Sequence, residues 1–233
     1  MIDILLAGVG GQGTVLAAKV LAQAAQSKGW QVRTAETIGM AQRGGNVTSH
    51  VRMGSNGEAV FSPLITPGTA DIVIALEPGE AARALPFLAP GGVLVTATTA
   101  IQPVTAALSS QPYRAGDVVA ALANSLQAEA SREQAAEATV ASSVAASTQD
   151  DNAPGVEGYP VPLFIPVDDE ALVREAGASS RKSLNMMLLA VAVAQGRVPL
   201  SIDEVKDAVR ACVKPQFVAM NLAAIDTAVA NFG

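Results

Sequence analysis

Two spacings of apolar residues organise the first hundred positions of the chain. Ile2–Ala7 is a short, mostly apolar run and predicts a buried strand. Thr14–Ser27, rich in Ala and Leu and closed by Gly29, predicts a helix. Gln31–Glu36 alternates polar and apolar residues and predicts a second strand. Strand, glycine turn, helix and strand make a βαβ unit, with parallel strands and a right-handed crossover. The rhythm breaks at "TIGMAQRGGNVTSHVRMGSNGEAVFSPLI". Gly39–Gly45 reads as an exposed loop and Asn46–Met53 as a strand. "SNG" at 55–57 is a hairpin turn signal, with Ala59–Ser62 as the return strand. Asp71–Leu76, "DIVIAL", predicts a central parallel strand, Gly79–Leu88 a helix and Gly92–Thr96 a strand.

The second half has a different texture. Ala120–Gln149 is dominated by Ala, Ser, Glu and Gln, with high helix propensity and few large groups to bury. It predicts a helical insertion, spanning 115–158 with the polar loop "DDNAPGVEG" that follows. Val161–Val167 resumes as a strand, and Pro162 and Pro166 put it at a sheet edge. Asp169–Gly177, Ser183–Gln195, Ser201–Cys212 and the segment "KPQFVAMNLAAIDTAVANF" predict helices, with Ser201 as an N-cap. The expected fold is α/β: a doubly wound, mostly parallel, Rossmann-like sheet in one domain over 1–233. It carries an inserted β-hairpin and the Ala-rich helical insertion.

Composition narrows the chemistry. Half of the 233 residues are apolar but only 3% are aromatic, so the core is built from Ala, Val, Leu and Ile. The net charge of −6 supplies no basic face for nucleic acid. One cysteine, Cys212, and one histidine, His50, exclude a self-contained iron–sulfur cluster and a Cys/His zinc site. No metal site is expected in this chain. "MIDILL" has no basic leader pattern, and the apolar runs are broken before about 18 residues, so neither a signal peptide nor a membrane span is expected. A cytoplasmic protein is the expectation.

The candidate chemistry centres on Gly8-x-Gly10-x-x-Gly13. In dinucleotide-binding proteins this spacing brings backbone amides to a pyrophosphate at a helix N-terminus, and Glu36 stands about where a ribose-binding acid is expected. The same glycines also serve a tight turn that packs helix on strand. Gly11 and Gln12 make "GVGGQG" flatter than the usual fingerprint. A second polar glycine loop, "MAQRGG", belongs to the same carboxyl edge of the sheet. Glu77, just after "DIVIAL", sits at that edge too and can bond a loop amide or a partner. Ser49 and His50 are adjacent on a strand and face opposite sides, with no Asp to complete a triad, so His50 reads as a structural or interface residue. Cys212 reads as an inert thiol on a half-buried helix, and Met186 and Met187 as core fillers.

"GVGGQG", then "ETIGMAQRGGNVTSHVR", "SPLI" and "DIVIALEP", resemble the gamma-type domain of 2-oxoacid:ferredoxin oxidoreductases, and within that family the beta subunits of the indolepyruvate branch. The resemblance covers residues 1–112, resumes weakly at Tyr159 and is clearer at "SLNMMLLAVAV" and "KPQFVAMNLAA"; the Ala-rich stretch at 120–155 departs from it. It implies a subunit of an enzyme that oxidatively decarboxylates a 2-oxoacid, makes an acyl-CoA and reduces ferredoxin. Thiamine diphosphate, Mg and the iron–sulfur clusters are then expected on a larger partner subunit, and none of them in this chain. The lone cysteine agrees, and no GDG-to-NN pattern for a thiamine pyrophosphate is present. The resemblance makes the isolated chain inactive, its task being to complete the active-site cavity. Arg43 can pair with a carboxylate or a CoA phosphate, Gln42 can donate to a carbonyl, and Gly44 and Gly45 let backbone amides approach. The glycine loop by itself also fits a free-standing NAD(P)- or flavin-dependent reductase, and a non-catalytic α/β scaffold module.

Overall fold

The structure is a computed structural model that describes residues 1–39, 45–101, 113–147, 161–177 and 181–233. Its centre is a six-stranded sheet. The strands are β1 (Ile2–Val9), β2 (Gln31–Ile38), β3 (Asn46–Gly54), β4 (Ala70–Ala75), β5 (Leu88–Ala97) and β6 (Leu163–Val167). They lie in the order β2-β3-β1-β4-β5-β6. β3 runs antiparallel to both neighbours, β1 and β2, and the remaining pairs are parallel. The sheet is therefore mostly parallel, with one reversed strand inserted.

Alternation along each strand sorts the core into two layers. Ile4, Leu6, Ile72 and Ile74 face α1 (Thr14–Ser27), α5 (Leu184–Ala194), α6 (Ile202–Cys212) and α7 (Pro215–Phe232). Leu5, Ala7, Val73 and Ala75 face α2 (Pro78–Ala84) and α3 (Ala115–Ser147). The short helix α4 (Asp169–Glu175) follows β6. Every side chain of α5 from Leu184 to Val193 is buried, because it packs between the sheet and α7; Met186 and Met187 are fully enclosed. Of α3, Leu122, Leu126 and Ala130 repeat at four-residue spacing and bury one stripe. α6 opens on a reciprocal capping box between Ser201 and Glu204.

Three expectations change. β2 is not the neighbour of β1, because β3 lies between them. The hairpin is made by β2 and β3, not by β3 and a strand at 59–62. β3 already has both edges paired, so no edge remains for a return strand after "SNG", which forms a single 3₁₀ turn. Residues 58–65 become a strap instead. Arg52 Nη1 donates to the Ser62 and Leu64 carbonyls at 3.2 and 3.3 Å. The helix expected to reach Leu88 stops at Ala84 and gives way to a 3₁₀ turn carrying Pro86.

His50 holds the other end of the strap. It is buried on β3, its Nδ1 accepts from Ile65 N at 3.2 Å, and its ring meets Phe87 edge-on at 6.0 Å. Burial pushes the imidazole below its ordinary value of 6.5. The folded state favours neutral His50, so its contribution is complete above 6.5 and is lost as pH falls from there through the lowered folded value. Wild-type Tm is expected to fall more steeply than that of His50→Asn between pH 7.5 and 5. Parallel curves would show that His50 does not carry this titration.

Candidate functional site

β1 hands the chain to α1 on one face of the sheet, and the adjacent β4 hands it to α2 on the other. The carboxyl ends of β1 and β4 thus flank a topological switch point, where open α/β sheets form their ligand crevice. Gln12 occupies that crevice. Its Oε1 accepts from Val9 N at 2.6 Å and its Nε2 donates to the Leu76 carbonyl at 2.7 Å, tying the two strand ends together. Gly8 makes room for it: a Cβ there would stand 2.9 Å from Gln12 Oε1 and from a Thr14 methyl. Gly10 N donates to the Gly45 carbonyl at 2.9 Å, so the end of the second glycine loop closes over the first. Gln42, Arg43 and Gly44 lie outside the described residues.

Gly13 caps α1 in the left-handed region, at φ 86°. Its carbonyl accepts from Asn185 Nδ2 at 3.0 Å, and a Cβ would stand 2.7 Å from that nitrogen. No side chain caps α1. Its amino end therefore opens on a cavity of about 370 Å³ bounded by Gly11, Gly13, Leu16, Ile101, Arg181 and Asn185, with Lys182 at the rim. Arg181 is anchored beneath: its Nη2 lies 2.7 Å from Oδ2 of fully buried Asp169. Asp169 Oδ1 accepts from Thr98 N and Thr99 N at 3.1 and 3.0 Å. One carboxylate thus joins the end of β5, the start of α4 and the approach to α5. With Arg181 charge-paired to Asp169, it is Lys182 at the rim and the positive end of the α1 dipole that favour an anion here.

The other candidates fall elsewhere. Glu77 is buried and spends both oxygens within the chain: Oε2 accepts from Glu80 N at 3.0 Å, capping α2, and Oε1 from the Tyr113 hydroxyl at 2.7 Å. Burial first, then this bond, holds that phenol well above its ordinary value. Glu36 stands on β2, two strand spacings from β1, about 9.6 Å. A ribose held at Gly8–Gly13 needs its acid one spacing away. Ser49 is buried and faces the opposite side of the sheet from His50. Cys212 is half-buried, its thiol pushed up by burial. Arg181, Lys182, Asn185 and Asp169 were not singled out from sequence. Two signals mark three of them: an asparagine, Asn185, inside an otherwise apolar helix, and the basic pair Arg181 and Lys182 ahead of a helix start, against the dipole preference.

Solved structures share this fold. The gamma subunit of a keto/oxoacid ferredoxin oxidoreductase from Geobacter sulfurreducens superposes with a TM-score of 0.60 at 19% identity, covering 99% of this chain and 97% of that one. A 2-oxoglutarate:ferredoxin oxidoreductase from Magnetococcus marinus, solved with 2-oxoglutarate, coenzyme A and succinyl-CoA bound, gives 0.60 at 17% identity, over 98% of this chain and 30% of its own. The chain belongs to the pyruvate ferredoxin/flavodoxin oxidoreductase family, whose model matches residues 3–231. Among its relatives, indolepyruvate oxidoreductase subunit IorB of Archaeoglobus fulgidus is 31% identical over 224 residues, 96% of this chain and 92% of that protein. The IorB subunit of Pyrococcus horikoshii is 29% identical over 227 residues, 97% and 94% of the two chains. The chain is thus a subunit of a 2-oxoacid:ferredoxin oxidoreductase. No helix among the described residues is long and apolar enough to cross a membrane.

Proposed function

We propose that this chain is the small subunit of an indolepyruvate-type oxidoreductase, in which it completes the cavity for oxidative decarboxylation of an arylpyruvate to an acyl-CoA. The larger partner carries thiamine diphosphate, Mg and the iron–sulfur clusters and passes electrons to ferredoxin. The chain is cytoplasmic and forms one domain over 1–233, with 115–158 as an insertion. The observation that carries the reading is the self-occupied glycine loop. Gln12 fills the switch-point crevice and Gly45 takes the Gly10 amide, which leaves a rigid edge suited to docking rather than a seat for a dinucleotide. The anion-friendly cavity beside it, with Arg181 and Lys182, suits a phosphate of CoA or a 2-oxoacid carboxylate. Gln42 and Arg43 supply polar groups that support the reaction without carrying a cofactor.

The chain alone is expected to reduce no viologen dye with any arylpyruvate. Co-expressed with its partner it restores turnover, and Arg43→Ala lowers that turnover or the yield of complex while leaving the Tm of the isolated chain within about 2 °C, since the sequence predicts an exposed loop there and such a change costs about 0.5 kcal/mol. Turnover by the chain alone, or micromolar binding of NADH, NADPH or FAD abolished by Gly10→Val, would replace this reading with a free-standing reductase.

A further inference from the structure

We propose that two copies of this chain pair through β2, antiparallel across a two-fold axis, so that two six-stranded sheets join edge to edge. This goes beyond the enzymatic reading and does not depend on it.

The two edges of the sheet are treated differently. β6 is a five-residue strand that contains Pro166 and follows Pro162, which blunts it as a pairing template. β2 has eight residues and no proline, and it pairs with β3 from Gln31↔Gly54 to Ile38↔Val47 without a register shift. Six of its eight residues are exposed, Ile38 at 66%.

The phase of its free backbone is set. Gly39 N donates to the Asn46 carbonyl at 2.8 Å, which makes this a hydrogen-bonded pair and turns the odd-numbered residues of β2 toward β3. Val32, Thr34, Glu36 and Ile38 then turn their N–H and C=O outward. Among the described residues none of these groups has a partner.

These four residues match themselves. Antiparallel pairing about a two-fold axis normal to the sheet keeps each side chain on its own face, so even-numbered residues meet even-numbered ones. With Ala35 on the axis, Val32 lies opposite Ile38 of the second copy and Thr34 opposite its Glu36. Every outward N–H and C=O of the four then has a partner. Apolar meets apolar, the Glu36 carboxylate meets a hydroxyl, no like charges stand directly opposed, and a methyl side chain sits at the axis. Centring on Thr34 instead opposes Val32 to Glu36 and pairs Ile38 beyond the strand with Trp30. The first register is therefore the favoured one. Phe61, 92% exposed, stands beside this edge: its neighbour Val60 is bonded to the Gln31 and Arg33 side chains. A second copy that continues the sheet would cover it.

The full chain at tens of micromolar is expected to sediment at about twice 23.6 kDa. Thr34→Pro removes an outward N–H without touching the β3 ladder, and should return the mass to that of one chain with an unchanged circular dichroism spectrum. Because a strand proline can unfold a chain, a second pair of variants tests the register in a Cys212→Ser background. Ala35→Cys, a non-hydrogen-bonded pair on the axis with Cβ atoms about 5 Å apart, should form a covalent dimer on mild oxidation. Thr34→Cys should not. A wild-type monomer at this concentration overturns the proposal, as does a dimer that survives Thr34→Pro with its fold intact. Cross-linking by Thr34→Cys but not Ala35→Cys overturns it as well.

Discussion

Valine in place of Gly13 is expected to destabilise the chain by about 4 kcal/mol. The backbone there is left-handed, at φ 86°, which costs an L-residue about 1–2 kcal/mol. The new Cβ would press on Asn185 Nδ2, 2.7 Å away, and overpacking of this kind costs about 1–3 kcal/mol. The bond from Asn185 to the Gly13 carbonyl is lost as the side chain is displaced, for about 1 kcal/mol more. For a chain of this size the sum corresponds to roughly 10 °C in Tm. Gly11→Ala is the control. Its φ is 98° but nothing lies within 4 Å of its Cβ, so only the conformational share, about 1–2 kcal/mol, should appear. Equal losses for the two variants in chemical denaturation would show that Asn185 does not press on this turn. The consequence reaches function, because Gly13 and Asn185 together shape the amino end of α1 and the cavity in front of it.

Asp169→Ala is expected to cost about 3 kcal/mol, the range for removing one partner of a buried ion pair. Three groups lose a partner at once: Arg181 its counter-charge, and the amides of Thr98 and Thr99 their acceptor. Arg181 is partly exposed and can turn to water, so the loss falls toward the lower end of that range. The pair should be coupled. Arg181→Ala in the Asp169→Ala background should cost at least about 1 kcal/mol less than in the wild type. Strict additivity in the double-mutant cycle would mean that the two side chains do not share their energy, and Arg181 would then owe its place in the cavity to something else. Because the end of β5, α4 and the approach to α5 all meet at this carboxylate, the single variant should also loosen the cavity wall that carries Arg181 and Lys182.

Much of the fold was legible because it is written in short-range periodicity. α1 spans Thr14–Ser27 as expected, and Ser201 caps α6, since capping and helical spacing act within a few residues. Pro162 and Pro166 correctly assigned β6 to an edge, because a missing N–H is a local property. The hairpin went differently because its local signal, "SNG", competes with a non-local one. Whether β3 has a free edge depends on β1 and β2, and nothing in residues 55–62 records that.

The candidate site divides along the same line. The glycines of "GVGGQG" and their place between strand and helix could be read directly, as could the membership that the motifs around them suggested. What the loop holds could not. Gln12 reaches Leu76 across 64 positions, Asn185 reaches Gly13 across 172, and Asp169 gathers Thr98, Thr99 and Arg181 from separate segments. Sequence by itself determined most of the helices and strands, the class of sheet and a single cysteine too few for a cluster. Only the tertiary structure decided that β3 enters between β1 and β2, displacing Glu36 from the loop, and that the switch-point crevice is filled by the chain's own glutamine. The physical reason is that periodicity, caps and turns are properties of neighbours along the chain. Strand order and the fate of a side-chain amide are set by packing and hydrogen bonds between residues far apart in it.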